Sequence, residues 1–296
     1  MFSRVLIATD LSDASFVLVR CLDSLRSYGT FRCLLLLCLS TQEGASLALS
    51  YSTDAINERL GQQKRVLESY GFSVETRIET GSPKREINRI AAQEEYSLVV
   101  IGSKSHSFLA DMFLGSVASE VLLAMVKPVL VIRLEAADKT DPACARTSRC
   151  DLQGHILFPT DFSENADMAF TWVEGLGEYG VRQVQLLHVQ DRARIDPHLS
   201  SQLEEFNRVD QERLSELSSR LGGKGNTKVV LDIRYGSPFS EIMRAAEDDK
   251  SNLIVLGSQG RGFISELFLG SVSHNLARHA KCSLLIIPLP RPREAP

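Results

Sequence analysis

The sequence predicts an α/β fold made of two tandem doubly wound domains, each a five-stranded parallel sheet with helices on both faces. Three observations lead there. Short apolar runs alternate along the chain with longer amphipathic stretches, the pattern of parallel strands joined by helical crossovers. A glycine motif, Gly257-Ser258-Gln259-Gly260 followed after nine residues by Gly270-Ser271, recurs as Gly102-Ser103-Lys104-Ser105 followed after nine by Gly115-Ser116. Gly81-Ser82-Pro83 matches Gly236-Ser237-Pro238 at the same offset of 155, and Thr9-Asp10 matches Thr160-Asp161 at 151. A period of that size is a whole domain, too long for a solenoid unit.

The elements of the second copy can be justified in order. Strands are expected at Gln153 to Pro159, Gln183 to Val189, Lys228 to Ile233, Leu253 to Leu256 and Ser283 to Ile287, each a short apolar run bounded by polar residues. Ser163-Glu164 starts the first helix, Ser200 a long second one to Leu221, Ser237-Pro238 a third with proline in the first turn, and Gly270-Ser271 the fourth. The first copy follows the same plan, with strand-like runs at Val5 to Ala8, Leu98 to Ile101 and Val129 to Ile132. Domain 1 therefore covers residues 1–134 and domain 2 residues 153–290. Residues 135–152, rich in Ala, Asp, Thr, Arg and Ser with Pro142, read as a linker. The apolar runs Val129 to Ile132 and Leu284 to Ile287 predict exposed strand edges that would pair the halves as a pseudo-dimer, with a homodimer of chains as a weaker expectation.

Composition narrows the function. The chain has 296 residues, 44% of them apolar and 24% charged, and a formal charge of −4. That balance gives no broad basic surface for nucleic acid. No apolar run reaches the roughly 20 residues that span a bilayer, and the N-terminus carries no export signal, so a cytoplasmic protein is expected. Six cysteines (Cys21, Cys33, Cys38, Cys144, Cys150, Cys282) form no C-x-x-C pair, against a zinc ribbon or thioredoxin-like site. Cys33, Cys38 and Cys282 read as small buried hydrophobes.

Chemistry concentrates in the second copy. Leu256 closes a buried strand, and Gly257, Gly260, Gly262 and Gly270 let backbone N–H groups approach a ligand without Cβ interference. The helix that Ser271 opens adds unpaired donors and the positive end of a dipole. Ser258, Ser271 and Ser273 carry hydroxyls able to donate to phosphate oxygens, Val272 lies in the same first turn, and Arg261 can neutralise phosphate charge. The Gly-rich stretch Leu221 to Asn226 follows a helix and precedes a strand, the wrong order for a phosphate loop, so it is a turn. His188 reads as a packed core residue.

These motifs resemble the universal stress protein family, as two tandem copies over nearly the whole chain. Nucleotide-binding members carry G-x-x-G-x(9)-G-[ST], which the second copy reproduces in full, and Pro159-Thr160-Asp161-Phe162-Ser163 also resembles that family. The resemblance implies strand order 3-2-1-4-5 and an adenine-nucleotide site, with ATP (or ADP or AMP) as ligand and Mg²⁺ as a companion ion. It implies that Asp161 meets the ribose or the adenine amine, and that His188-Val189 lines the base pocket. The first copy departs from the pattern, with Ser105 at the second glycine, Ala8 for the proline and His106 for Arg261. Weaker nucleotide binding, or none, is expected there, with Lys104 a partial compensation. No Walker lysine motif and no base placed beside the phosphates is present, so a sensor or switch is expected, with slow ATP hydrolysis or a nucleotide-free scaffold as alternatives.

Overall fold

The computed structural model describes residues 1–40, 52–103, 114–133, 151–195, 202–222, 226–261 and 269–289. The chain divides into two compact units, the second beginning at Asp151. The expected linker, Lys104, Ser105, His106, Cys144, Cys150, Gly262 and the glycines of the 221–226 turn at 223 and 225 lie outside the described residues, apart from Asp151 and Leu152.

The first unit runs β1 (Arg4–Thr9), α1 (Asp13–Arg20), a 3₁₀ turn (Asp23–Arg26), β2 (Arg32–Leu39), α2 (Ser52–Ser69), β3 (Ser73–Thr80), α3 (Pro83–Gln93), β4 (Leu98–Ser103), α4 (Ser116–Leu123) and β5 (Val129–Arg133). Its strands pair in parallel in the order β3-β2-β1-β4-β5. The second unit runs β6 (His155–Thr160), α5 (Glu164–Glu178), β7 (Gln183–Asp191), a single turn α6 (Arg192–Ile195), α7 (Leu203–Leu221), β8 (Lys228–Gly236), α8 (Pro238–Asp248), β9 (Leu253–Gly257), α9 (Ser271–His279) and β10 (Ser283–Ile287). Its parallel order is β8-β7-β6-β9-β10, the same 3-2-1-4-5 arrangement.

Helix starts fall where the capping residues predict. Ser12 and Ser163 accept the N–H of Ser15 and Ala166, each satisfying a donor that the first turn leaves unpaired. Ser82 and Ser237 stand in extended conformation before Pro83 and Pro238, whose missing N–H costs nothing at that position. β7 and β8 run longer than the apolar pattern suggests, because their last residues pair with each other as far as Asp191 and Gly236. The long helix is described from Leu203 onward, its expected start at Ser200 lying outside the described residues, and α6 is an element that the sequence did not signal.

The repeat is visible in backbone detail. Leu11 and Phe162 are non-glycine residues at positive φ (58° and 54°), as are Glu95 and Lys250 (54° and 50°), with the separations of the sequence repeat. Such a conformation is unfavourable by about 1–2 kcal/mol for an L-residue. In the first pair it is held by the preceding threonine: Thr9 Oγ1 accepts the Leu11 N–H and Thr160 Oγ1 the Phe162 N–H, both at 3.0 Å. In the second pair the left-handed residue ends a helix, and the next N–H turns back onto it, Tyr96 to Ala91 and Ser251 to Ala246.

In the second unit α5 buries Ala166, Ala169, Phe170, Val173 and Leu176, residues at helical spacing that form one apolar stripe. Phe170 packs its ring on Phe158 of β6 at 5.3 Å. Cys33, Cys38 and Cys282 are in no disulfide, and burial pushes the thiols of Cys33 and Cys38 up to about 12, so those two pack rather than react. Cys21 is disulfide-bonded, a bridge the sequence reading did not assign. Among the described residues no helix is long and apolar enough to cross a membrane.

Candidate functional site

In an open parallel sheet, ligands bind beyond the carboxyl ends of the strands where the strand order reverses. In the second unit that point lies between β6 and β9, which are neighbours although their following elements leave to opposite sides. A cavity of about 1450 Å³ opens there. Of the sequence-predicted residues, Pro159, Thr160, Asp161, His188, Val189, Leu256, Gly257, Gly260, Arg261, Gly270, Ser271, Val272 and Ser273 all line it. Ser258 does not.

The loop after β9 is held by close approach. Asp161 accepts the Ser163 N–H through Oδ1 at 3.1 Å and the Arg261 N–H through Oδ2 at 2.8 Å. A Cβ on Gly260 would stand 2.5 Å from Asp161 Oδ2. Gly260 is not among the glycines at positive φ, so the reason for a glycine here is space and not a left-handed backbone. Gly270 is tight for a related reason: its N–H donates to the Ser258 carbonyl at 2.8 Å, and a Cβ would meet Gln259 Cα and Ser258 O at 3.3 Å.

Two serines have other duties. Ser258 is buried, donates its hydroxyl proton to Asn165 Oδ1 at 3.2 Å and accepts the Leu289 N–H at 3.3 Å. Ser273 gives its proton to the Gly257 carbonyl at 2.9 Å. A hydroxyl has one proton, so neither hydroxyl is free to donate to a phosphate; both brace the loop. Ser271 is exposed in the first turn of α9, whose N-cap, Gly270, supplies no side-chain acceptor. The first N–H groups of that helix are therefore left for a ligand.

β7 forms the opposite wall. Its last pairing with β6 is Thr160 with His188, yet it continues alongside β8 to Asp191. The main chain from Val189 onward thus extends past the end of β6 into the cavity rim. His188 is buried, its Nδ1 lies 2.8 Å from the Thr160 carbonyl and its ring stacks on Phe162 at 4.7 Å. A carbonyl only accepts, so Nδ1 carries the proton. Burial holds the imidazole below its ordinary value, against the opposing pull of the Thr160 hydrogen bond and the Asp210 carboxylate. Its Nε2 faces Asp210 Oδ2 at 3.5 Å.

Sequence reasoning missed the wall that α7 supplies. Phe206, Val209, Asp210 and Arg213 lie on one face of that helix and line the cavity. Asp210 is buried and accepts a hydrogen bond from Gln190 Nε2 at 2.9 Å, and the Arg213 guanidinium lies over the Phe162 ring. Their spacing of three and four was the available signal, but nothing in the sequence said which face of α7 turns inward.

The first unit fills the corresponding region differently. Leu37 is in register with Thr9 as His188 is with Thr160. Thr9 Oγ1 lies 2.9 Å from Gln63 Oε1 and 3.1 Å from Ser15 Oγ, while Gln63 Nε2 donates to Ser15 Oγ at 3.0 Å. Gln63 comes from α2 and is fully buried.

Comparison with known proteins agrees with the fold. The family model described as Universal stress protein family matches residues 1–133 and 154–288. The chain belongs to that family. It is 27% identical over 256 residues to a universal stress protein of Mycolicibacterium smegmatis, covering 85% of this chain and 78% of that one. It is 31% identical over 151 residues to a universal stress protein of Methanocaldococcus jannaschii, covering 45% of this chain and 93% of that one. A solved universal stress protein from Archaeoglobus fulgidus shares the fold over 97% of this chain and 99% of its own, with a TM-score of 0.75 at 22% identity.

Proposed function

We propose that this universal stress protein binds an adenine nucleotide, ATP foremost, in its second unit, and that occupancy of the site makes it a sensor or switch. The observation that carries the reading is the pairing of the clasped loop at Gly257 to Gly260 with the N-terminus of α9, on one side of a cavity wide enough for a nucleotide. Main-chain N–H groups at Gly260, Ser271 and Val272, with the Arg261 side chain, would hold the phosphates. Asp161 would meet the ribose, and the projecting edge of β7 at Val189 would meet the base. Val209 and Phe206 would supply apolar and aromatic surface.

The reading is one of binding rather than turnover. Asp161, the carboxylate at the loop, already accepts from the Arg261 and Ser163 N–H groups, and the basic Nε2 of His188 faces the Asp210 carboxylate. Mg²⁺ would enter with the phosphates; among the described residues no group of three or more His, Cys, Asp or Glu is placed to hold a metal ion.

The deciding experiment is to denature purified protein and identify what it releases by chromatography, with titration of ATP, ADP, AMP and GTP into nucleotide-stripped protein. An adenine nucleotide in the extract and preferential ATP binding are expected. Protein that releases nothing and binds none of the four would favour a nucleotide-free scaffold, and rapid phosphate release in single-turnover kinetics would favour a hydrolase.

A further inference from the structure

Asn165 stands in the first turn of α5, is buried, and does not line the cavity. Each polar atom of its side chain is nevertheless spent on the loop above. Oδ1 accepts the Gln259 N–H at 2.8 Å and the Ser258 hydroxyl at 3.2 Å, and Nδ2 donates to the Ile287 carbonyl at 3.3 Å. That carbonyl also receives the Ser258 N–H at 2.8 Å. One amide therefore ties together α5, the end of β10 and both residues that follow β9.

The same side chain sets what can stand at position 257. A Cβ on Gly257 would lie 2.8 Å from both Cγ and Oδ1 of Asn165 and 3.0 Å from its carbonyl oxygen, closer than real carbon contacts allow. Gly257 is not among the glycines at positive φ, so its backbone conformation does not demand a glycine. We infer that Asn165 is the positioning residue of the nucleotide loop, and that the first glycine of the motif is a glycine to admit Asn165 and not to admit the ligand. The second glycine follows the same logic with Asp161 as its neighbour. Two side chains four residues apart on the turn after β6 thus clasp the two glycines.

The first half is built differently. At the positions matching Asn165 and Gly257 it has Ala14 and Gly102, and at those matching Asp161 and Gly260 it has Asp10 and Ser105, so the coupling of side chain to glycine is assigned to the second half alone and is tested there. Ala14 lies within α1, a helix that starts from the same serine cap, so alanine is compatible with this turn and Asn165→Ala should fold.

This inference rests on the nucleotide reading for its ligand effect, and a double-mutant cycle in the full-length protein separates the two. Wild type, Asn165→Ala, Gly257→Ala and the double variant are compared by melting temperature without ligand and by titration with ATP and with adenosine. Asn165→Ala frees the Gln259 N–H and the Ser258 hydroxyl, so ATP affinity should fall by about tenfold, while adenosine, which has no phosphate, should change by less than about twofold. Gly257→Ala should lower the melting temperature clearly more with Asn165 present than in the Asn165→Ala background, where only the main-chain carbonyl oxygen at 3.0 Å still crowds the new Cβ. Additive effects in the cycle, or parallel losses of ATP and adenosine affinity, would overturn the assignment. If wild type binds neither ligand the nucleotide reading fails with the ligand half of this one, and the coupling in melting temperature still decides whether Asn165 dictates residue 257.

Discussion

The carboxylate of Asp161 accepts the backbone N–H of Arg261 at 2.8 Å, so the turn after β6 grips the loop after β9 directly. Gly260, the residue before that N–H, lies so close beneath the carboxylate that a Cβ would reach 2.5 Å from Oδ2. Gly260→Val should therefore push the loop off Asp161 and turn its N–H groups away from the cavity. At free ATP of 100 times the dissociation constant the wild-type protein should gain about 2.7 kcal/mol, read as a thermal shift. The variant should lose most of that shift while its ligand-free melting temperature changes little, since Arg261 is exposed. An undiminished ATP shift in the variant would show that the loop does not hold the phosphates.

His188 should give the second unit an acid-sensitive stability. Burial lowers its folded-state value below the ordinary one of about 6.5 that it regains on unfolding. Between those two values the unfolded chain binds the extra proton and the folded chain does not. Stability is then fully present above about pH 6.5 and is lost as pH falls through the folded value. Asp210 and Asp161 favour the charged form and Arg261 opposes it, so replacing Asp210 by Asn should steepen the loss. His188→Leu, which installs the residue the first half has at Leu37, should flatten it. Denaturant midpoints measured from pH 5 to 7.5 check both, and an unchanged slope in His188→Leu would remove His188 as the origin.

Much of this molecule was legible in its sequence, and what was not has identifiable causes. The helix starts at Ser163 and Ser237 and the motif glycines are local or repeated signals, and both strand orders followed from the family resemblance that those motifs carry. A serine before an apolar stripe and a glycine pair at fixed spacing each have one economical physical reading. The clasp was hidden because it joins residues about a hundred positions apart. Nothing near Asn165 hints that its amide will meet Gln259, and Ser258 and Ser273 look like phosphate donors until their protons are traced to Asn165 and Gly257. Asp161 was singled out for a ligand, and the ligand-free structure gives its carboxylate to two backbone N–H groups. The inward face of α7 escaped for a different reason: Asp210 is a buried carboxylate, and charge in a long polar helix ordinarily marks its solvent side.

Gln63 should be a stability residue in the first unit. Its amide is fully buried and bonded to Thr9 and Ser15. Gln63→Leu keeps the volume and leaves the two hydroxyls to each other, at a cost of about 1–3 kcal/mol for imperfectly paired buried polar groups. Gln63→Ala adds a cavity and should cost more. Chemical denaturation of the full chain should resolve this as a shift in the transition that reports the first unit. A variant as stable as wild type would mean that the polar triangle contributes nothing.

The two halves should differ in what they bind, and the reason lies in Gln63 as much as in the motif. In the second unit Thr160 Oγ1 accepts one backbone N–H and its neighbours line a wide cavity. In the first, Thr9 is bonded to Gln63 and Ser15, and the Arg59 guanidinium, also from α2, donates to the Leu11 carbonyl at 2.8 Å. A ligand entering between β1 and β4 would have to displace hydrogen bonds already made, whereas the second unit keeps an open cavity at that place. Titration of full-length protein with ATP should therefore show a single tight site, and Gly260→Val should remove it without exposing another. Restoring the motif glycine by Ser105→Gly should not create a second tight site while Gln63 stays in place. Two equivalent tight sites in wild type, or a second site created by Ser105→Gly alone, would show that Gln63 does not obstruct the first half.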